Sequence, residues 1–577
     1  MPARRSFFTR LRFILPLTAL LLGLWGVFSV ISPGSAISYA FAGQQGAESG
    51  LEAVLTRGKA IGAELSNLST LRSFYQENGY QTLWVTAWGK GYQRKVSDIL
   101  SVLEDSWSHG LNPIDYHVVE IRSALDDKDG SLNRNELEVI LSDAVIQYGR
   151  DLSGDRIHRL TGIKKKDRYW RQPVHPLDIL EHVAGSSNIK NALKGLEPEG
   201  KLYAELREAL REEVAQSRPE TVRIPSGGLI RPGDSSPRIP KVRERLKTGG
   251  QGTLYDEDLA RRVMDFQEDH GLAPDGVIGG QTLQLLNATQ ADRIDQILVN
   301  LERLKWIDQN KPERYVLVNI PSATLWAVES GRSVLQMPVI VGKEKRQTVA
   351  FRTDITGVRF NPNWTVPPTI KEEDFLPELQ NDPLYLSKRG IELQTGYGRD
   401  AQTLDPTTVD WTTVTPEDLG GITMVQSPGA SNPLGRVRVI MPNGYNIYLH
   451  DTNTPSYFGR SNRTLSSGCI RVAEPIKLAD FILKNKSGWT QADTDKYLAK
   501  GRMADIMVDQ ALPVYLMYQT IWQGENGRII FGPDVYGEDA MLARQLRAMK
   551  AVHIPSFSIK NTSNAGYSIL APGRVNS

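Results

Sequence analysis

Tyr445-Asn446-Ile447-Tyr448-Leu449-His450 follows the turn Pro442-Asn443-Gly444 and alternates apolar and polar side chains. A period of two is the mark of a strand with one buried face, so Ile447 and Leu449 point one way and Tyr448 and His450 the other. Nineteen positions after His450 stands the only cysteine of the chain, in Ser466-Ser467-Gly468-Cys469-Ile470-Arg471-Val472. A run of small residues ending in glycine suits a sharp turn in which a substrate carbonyl can approach main-chain N–H groups. A histidine and a cysteine brought onto one sheet would supply a base and a nucleophile.

The same period of two recurs upstream in Tyr315-Val316-Leu317-Val318-Asn319-Ile320, in Thr324-Leu325-Trp326-Ala327-Val328, and over 334–341 and 436–441. A mainly-β domain is therefore expected from about residue 313 to 512, followed by a C-terminal extension, 513–577. Between about 367 and 421 the strand pattern lapses into a charged, aromatic stretch of helical and loop character. An insertion of that length beside an active site is commonly a lid.

Before the β-domain the pattern is helical. Apolar residues recur every three or four positions over 43–223, which predicts a helical domain without evident chemistry. The next segment, 224–290, opens on a Pro/Gly/Ser-rich stretch from Ile224 to Pro237 that reads as a linker or loop. Beyond it, Val263-Met264-Asp265-Phe266-Gln267, His270-Gly271-Leu272 and Asp275-Gly276-Val277-Ile278-Gly279 predict an amphipathic helix, an Asp-Gly turn and a second short helix. Residues 291–312, with Ile294, Ile297, Leu298, Leu301 and Leu304 on one stripe, predict a connecting helix. At the N-terminus, Arg4, Arg5, Arg10 and Arg12 precede an uncharged apolar stretch over 13–31 and then small residues. Residues 1–42 thus read as an export signal, with cleavage and retention as a membrane anchor both open, and the remainder is expected outside the cytoplasm.

Composition narrows the function classes. The 577 residues carry 68 basic and 66 acidic side chains, a net charge of +2, which gives no field that favours nucleic acid. One cysteine excludes an intramolecular disulfide. Among His270, His450 and His553 no spacing fits a metal site, and no cofactor is called for. Ser187-Asn188-Ile189-Lys190 and Lys247-Thr248-Gly249 mimic two motifs of serine penicillin-binding enzymes, but they are too close together and lack the third.

For the thiol to act it must lose its proton, since an unperturbed cysteine with a pKa of about 8.5 is mostly protonated at neutral pH. His450 is the neighbouring acceptor, and Asp451, by main chain or side chain, is the nearest group to hold its ring. The N–H groups of Gly468 and Cys469 and the Tyr448 hydroxyl are the donors expected at the oxyanion, worth roughly 3 kcal/mol each if preorganised.

His450-Asp451-Thr452 with the seven residues 466–472 resembles the signature of YkuD-type L,D-transpeptidases. The order of helical scaffold, small peptidoglycan-binding module of the PG_binding_1 type and catalytic domain with a lid resembles the large, YcbB-like branch. Asn363-Trp364-Thr365-Val366-Pro367, Asp410-Trp411, Asn432-Pro433-Leu434-Gly435 and Val535-Tyr536-Gly537 support the likeness. The resemblance implies a multidomain α+β protein whose catalytic domain is a β-sandwich. It implies attack by Cys469 on the diaminopimelate–D-alanine amide of a donor tetrapeptide stem, then transfer to a diaminopimelate amine to form a 3-3 cross-link. It also implies acylation by carbapenems. Arg471, Ser467, Trp364 and Trp411 are the expected substrate contacts. Two positions depart from the pattern: Ser467 stands where smaller members carry histidine, and Val425-Gln426 lacks an arginine before the glutamine. Other outcomes of the same thioester are hydrolysis, as an L,D-carboxypeptidase, and lipoprotein attachment. A non-catalytic wall-binding scaffold with an inert thiol is the reading from a different class.

Overall fold

The computed structural model describes residues 50–85, 91–126, 133–159, 171–172, 174–216, 221–307, 311–396, 401–524 and 526–549. The export segment expected over 1–42 lies outside them, as do residues 550–577 of the extension. Among the described residues no helix is long and apolar enough to cross a membrane.

The helical region is built around α1 (Arg134–Leu152), capped by Asn133, whose side chain accepts from the Asn135 and Glu136 N–H groups. Most of α1 is buried on all sides, as expected of a helix at the centre of a bundle. Two of its buried carboxylates are paired there. Glu138 accepts from the Leu83, Trp84 and Val85 N–H groups and from Tyr75, and Asp143 accepts from the Ser66 and Asn67 N–H groups and pairs with His117. Such pairing offsets the cost of burying carboxylates. A second long helix, α2 (Lys201–Ala215), packs Leu206 and Leu210 on the stripe Ile297, Leu298 and Leu301 of a later one.

The next unit has a core of its own, centred on Val242, Tyr255, Leu259, Val263 and Ile278. Its α3 (Glu257–Asp269) starts at Asp256, whose carboxylate caps the Leu259 N–H. The predicted Asp-Gly turn is held from α3: Gln267 accepts from the Gly276 N–H and donates to Asp275. Then α4 (Gln290–Lys305) begins in a Thr289/Asp292 capping box and forms the connecting helix.

The catalytic candidate is a nine-stranded sheet: β1 (Arg314–Asn319), β2 (Thr324–Glu329), β3 (Arg332–Gly342), β4 (Phe351–Phe360), β5 (Val437–Ile440), β6 (Leu449–His450), β7 (Thr464–Ser466), β8 (Ile470–Val472) and β9 (Ala504–Met517). The strand order is β7-β3-β8-β6-β5-β4-β9-β1-β2, and β2 pairs in turn with β3, so the sheet closes on itself. β3 serves both layers of the resulting sandwich, pairing with β2 over its first half and with β8 over its second. The enclosed core is aliphatic, with Val316, Leu325, Val339, Val358, Leu449 and Ile470 all fully buried, and the helix Pro475–Leu483 closes it with Leu478 and Ile482.

The insertion is more regular than its sequence suggests. Strands at Trp364–Thr365, Ile422–Gln426, Ile391–Thr395 and Gln402–Leu404 form a separate sheet around a core of Leu379, Leu386, Leu393 and Met424. Strand pattern therefore does not lapse throughout 367–421. Strands of two to five residues are too short to show their period against the surrounding turns. C-terminal to the sandwich, a hairpin (Ile521–Gln523 with Ile529–Phe531) and α5 (Glu538–Ala548) return to α4, where Arg303 pairs with Asp539.

Candidate active site

Strands β6 and β8 are parallel neighbours, with Leu449 opposite Ile470 and His450 opposite Arg471. Leu449 and Ile470 are both in the core. The alternation therefore puts His450 and Arg471 on the opposite face, together with Tyr448 and Cys469, each two residues earlier in the chain and just before its strand. The Ile470 N–H donates to the Tyr448 carbonyl at 2.8 Å and continues this register. With strands about 4.8 Å apart and about 3.3 Å of rise per residue, His450 and Cys469 are diagonal neighbours about 8 Å apart at Cα, within side-chain reach.

The imidazole of His450 is only 5% exposed. Its Nδ1 lies 2.5 Å from the Asp451 carbonyl oxygen. A carbonyl can only accept, so Nδ1 carries the proton and Nε2 is left as the base. The Asp451 side chain does something else. It accepts from the Arg436 and Thr452 N–H groups and packs against Gly435, whose φ of +58° and lack of Cβ permit that approach. Burial, then the charge of Arg471, pushes the imidazole down to about 3. Neutral imidazole is thus the resting form.

Cys469 is the one cysteine and is half-buried. Its Sγ lies 3.5 Å from the Asn446 carbonyl oxygen. Burial pushes the thiol up, while a main-chain hydrogen bond at Tyr448 and the charges of Arg438 and Arg471 act in the opposite direction. The turn before it is tightly wired. Ser466 Oγ donates to the Cys469 carbonyl at 2.5 Å and accepts from the Gly468 N–H at 3.1 Å. Gly468 has φ of +112°, a conformation that an L side chain resists. Because the Gly468 N–H is engaged by Ser466, the expectation that it serves the oxyanion does not match this geometry.

Three family models match in succession: a scaffold domain over residues 69–210, a "Putative peptidoglycan binding domain" over 237–286, and an L,D-transpeptidase catalytic domain (YkuD) over 313–495. The chain carries a YkuD L,D-transpeptidase catalytic domain. A "Putative L,D-transpeptidase" of Haemophilus influenzae is 32% identical over 288 residues, covering 49% of this chain and 56% of the relative, so the chain spans little more than half of that protein's length. Among solved structures, the L,D-transpeptidases of Xylanimonas cellulosilytica (residues 123–326) and Stackebrandtia nassauensis are each 14% identical. They cover 51% and 52% of this chain and 99% and 97% of their own, both with a TM-score of 0.17, a likeness too low to carry an argument.

Around His450 and Cys469 the other expected residues fall in different places. Arg471 is beside the site, donates to Thr454 Oγ1 at 3.1 Å, and makes no ion pair among the described residues. The Tyr448 hydroxyl lies 3.4 Å from Asn446 Oδ1. Ser467 is exposed and accepts from Arg346 Nη1 at 3.1 Å. Trp364 is half-buried at the root of the insertion, edge-on to Phe375. Trp411 is a correction: at 2% exposed, with its indole N–H donating to the Pro406 carbonyl, it is a core side chain of the insertion rather than a substrate-facing one.

Two residues of the YkuD domain escaped the sequence reading. Arg438, opposite His450 on β5, lies with its guanidinium 3.8 Å over the Tyr448 ring and has a buried Nε without a partner. The signal was there, because Arg438 stands between the inward-facing Val437 and Val439. Arg346, in the β3–β4 loop, forks onto Glu373 and Asp374 of the insertion while it holds Ser467. No local pattern announces that contact.

Proposed function

We propose that Cys469 is the nucleophile and His450 the base of an L,D-transpeptidase reaction on peptidoglycan stems. The observation that carries this reading is the shared face of His450 and Cys469 on paired strands, with Nδ1 tied to the Asp451 carbonyl so that Nε2 is free to take a proton. The matched peptidoglycan-binding module supports a cell-wall substrate and an extracytoplasmic site of action.

In the first step the thiol proton passes to His450 Nε2 as sulfur bonds to the carbonyl carbon between the L-centre of diaminopimelate and the terminal D-alanine. The negative charge goes to the carbonyl oxygen, which takes hydrogen bonds from the Cys469 N–H and the Tyr448 hydroxyl. As the C–N bond breaks, the imidazolium returns its proton to the departing D-alanine amine, leaving a thioester. An incoming diaminopimelate amine attacks that thioester, His450 accepts its proton, and the thiol is restored as the 3-3 cross-link forms.

The surrounding charges fit this sequence. Arg438 and Arg471 disfavour a second positive charge on His450 but favour the negative charge that develops at sulfur and at the oxyanion. Arg471, whose charge acts on the imidazole more strongly than that of Arg438, also suits a stem-peptide carboxylate. A single incubation with disaccharide-tetrapeptide, analysed by mass spectrometry, tests the function. The expected product is a cross-linked dimer with loss of one D-alanine. Hydrolysed tripeptide alone would mean that water, not an amine, resolves the thioester, and unchanged tetrapeptide would favour a wall-binding role.

A further inference from the structure

The peptide unit between Gly468 and Cys469 is gripped from behind by a buried hydroxyl. Thr348, in the β3–β4 loop, is 1% exposed. Its Oγ1 accepts from the Gly342 N–H at 2.8 Å and donates to the Gly468 carbonyl at 2.7 Å. A hydroxyl has one proton to give, so that proton is committed to Gly468. Thr348 is itself fixed: its N–H donates to the Tyr536 hydroxyl at 3.3 Å, and that hydroxyl donates to the Gly342 carbonyl at 2.6 Å.

In a trans peptide the carbonyl and the following N–H point in opposite directions. The chain has no cis peptide bond among the described residues. Drawing the Gly468 carbonyl back to Thr348 therefore turns the Cys469 N–H away from the loop and leaves it with no acceptor among the described residues. The Gly468 N–H is spent on Ser466 Oγ, so Cys469 supplies the free main-chain donor of this turn. With glycine on one side, a peptide can flip at low cost, and a flip here would present a carbonyl where a donor is needed.

We propose that Thr348 is a positioning residue for the oxyanion, locking the Gly468–Cys469 peptide with the Cys469 N–H directed to the reacting carbonyl. The proposal rests on the reading of Cys469 as an acyl-forming nucleophile. Two reagents that attack the same sulfur separate the roles: a carbapenem, whose opening passes through an oxyanion, and iodoacetamide, whose displacement of iodide does not. In Thr348→Val, carbapenem acylation falls by about 10²–10³, the alkylation rate and its pH profile stay as in the wild type, and Thr348→Ser recovers acylation to within several-fold. Wild-type acylation in Thr348→Val, or an equal slowing of both reactions, overturns the proposal. Should the valine variant fail to fold, as judged by thermal unfolding, Thr348→Ala allows the same comparison. A wild-type chain alkylated at Cys469 but never acylated would instead defeat the proposed function, and this inference with it.

Discussion

His450 Nδ1 sits 2.5 Å from the main-chain carbonyl of Asp451, the next residue in the chain. The third member of the site is thus a backbone dipole, while the Asp451 carboxylate ties the β5 turn at Arg436. A carbonyl orients the ring and fixes its tautomer without adding a negative charge that would stabilise imidazolium. Together with burial this keeps the resting pair neutral on both sides.

That neutrality makes a kinetic prediction. A cysteine stored as thiolate would be alkylated at a rate that levels off near neutral pH. Here burial pushes the Cys469 thiol up, so the rate with iodoacetamide continues to rise past the ordinary thiol range of about 8.5. Replacing Arg438 by Met removes a charge that favours thiolate, and the midpoint moves further up. A plateau between pH 6 and 7 in the wild type would contradict this picture.

The same burial predicts a change of stability with pH. In the unfolded chain His450 binds a proton near its ordinary value of about 6.5, whereas in the folded chain it stays neutral down to about 3. The unfolded state then binds more protons within that window, and stability falls as pH falls. Thermal unfolding at pH 7.5 and 5 should show a larger loss for the wild type than for His450→Gln, and equal losses would argue against a neutral buried ring.

Arg346 predicts a mechanical coupling. Its guanidinium holds Glu373 and Asp374 of the insertion and the Ser467 hydroxyl two residues before Cys469, and these bonds keep the Asp374 carboxyl below its usual range. In Arg346→Ala, hydrogen exchange over the segment Lys371–Phe375 should rise and carbapenem acylation should slow several-fold, with the fold otherwise retained. Unchanged exchange in that segment would show that other contacts hold the insertion down.

Trp411→Ala serves as a contrast. Removing a fully buried aromatic costs about 3–5 kcal/mol, which should appear as a loss of the insertion's protection from protease. Iodoacetamide should still alkylate Cys469 at the wild-type rate. Slower alkylation in this variant would mean that Trp411 acts on Cys469 more directly than its place in the core suggests.

Much of the site is legible wherever a residue's surroundings are set by its own strand. The alternation through Ile447 and Leu449 put Tyr448 and His450 on one face, and the small-residue turn at Gly468 singled out Cys469. What escaped came from strand pairing and loop contact. Arg438 meets His450 only because β5 and β6 adjoin, and Thr348 and Arg346 reach the turn before Cys469 from about 120 positions away. Trp411 is the opposite case: expected as a substrate contact along with the resemblance, it proves to be part of the core that the insertion builds for itself.

Intact-protein mass spectrometry after exposure to a tetrapeptide stem shows whether Cys469 forms an acyl-enzyme with the help of His450. The expected result is a mass increase equal to the donor less D-alanine, located by digestion to Cys469, absent in Cys469→Ala and strongly reduced in His450→Gln. An adduct on another residue, or full labelling without His450, would contradict it.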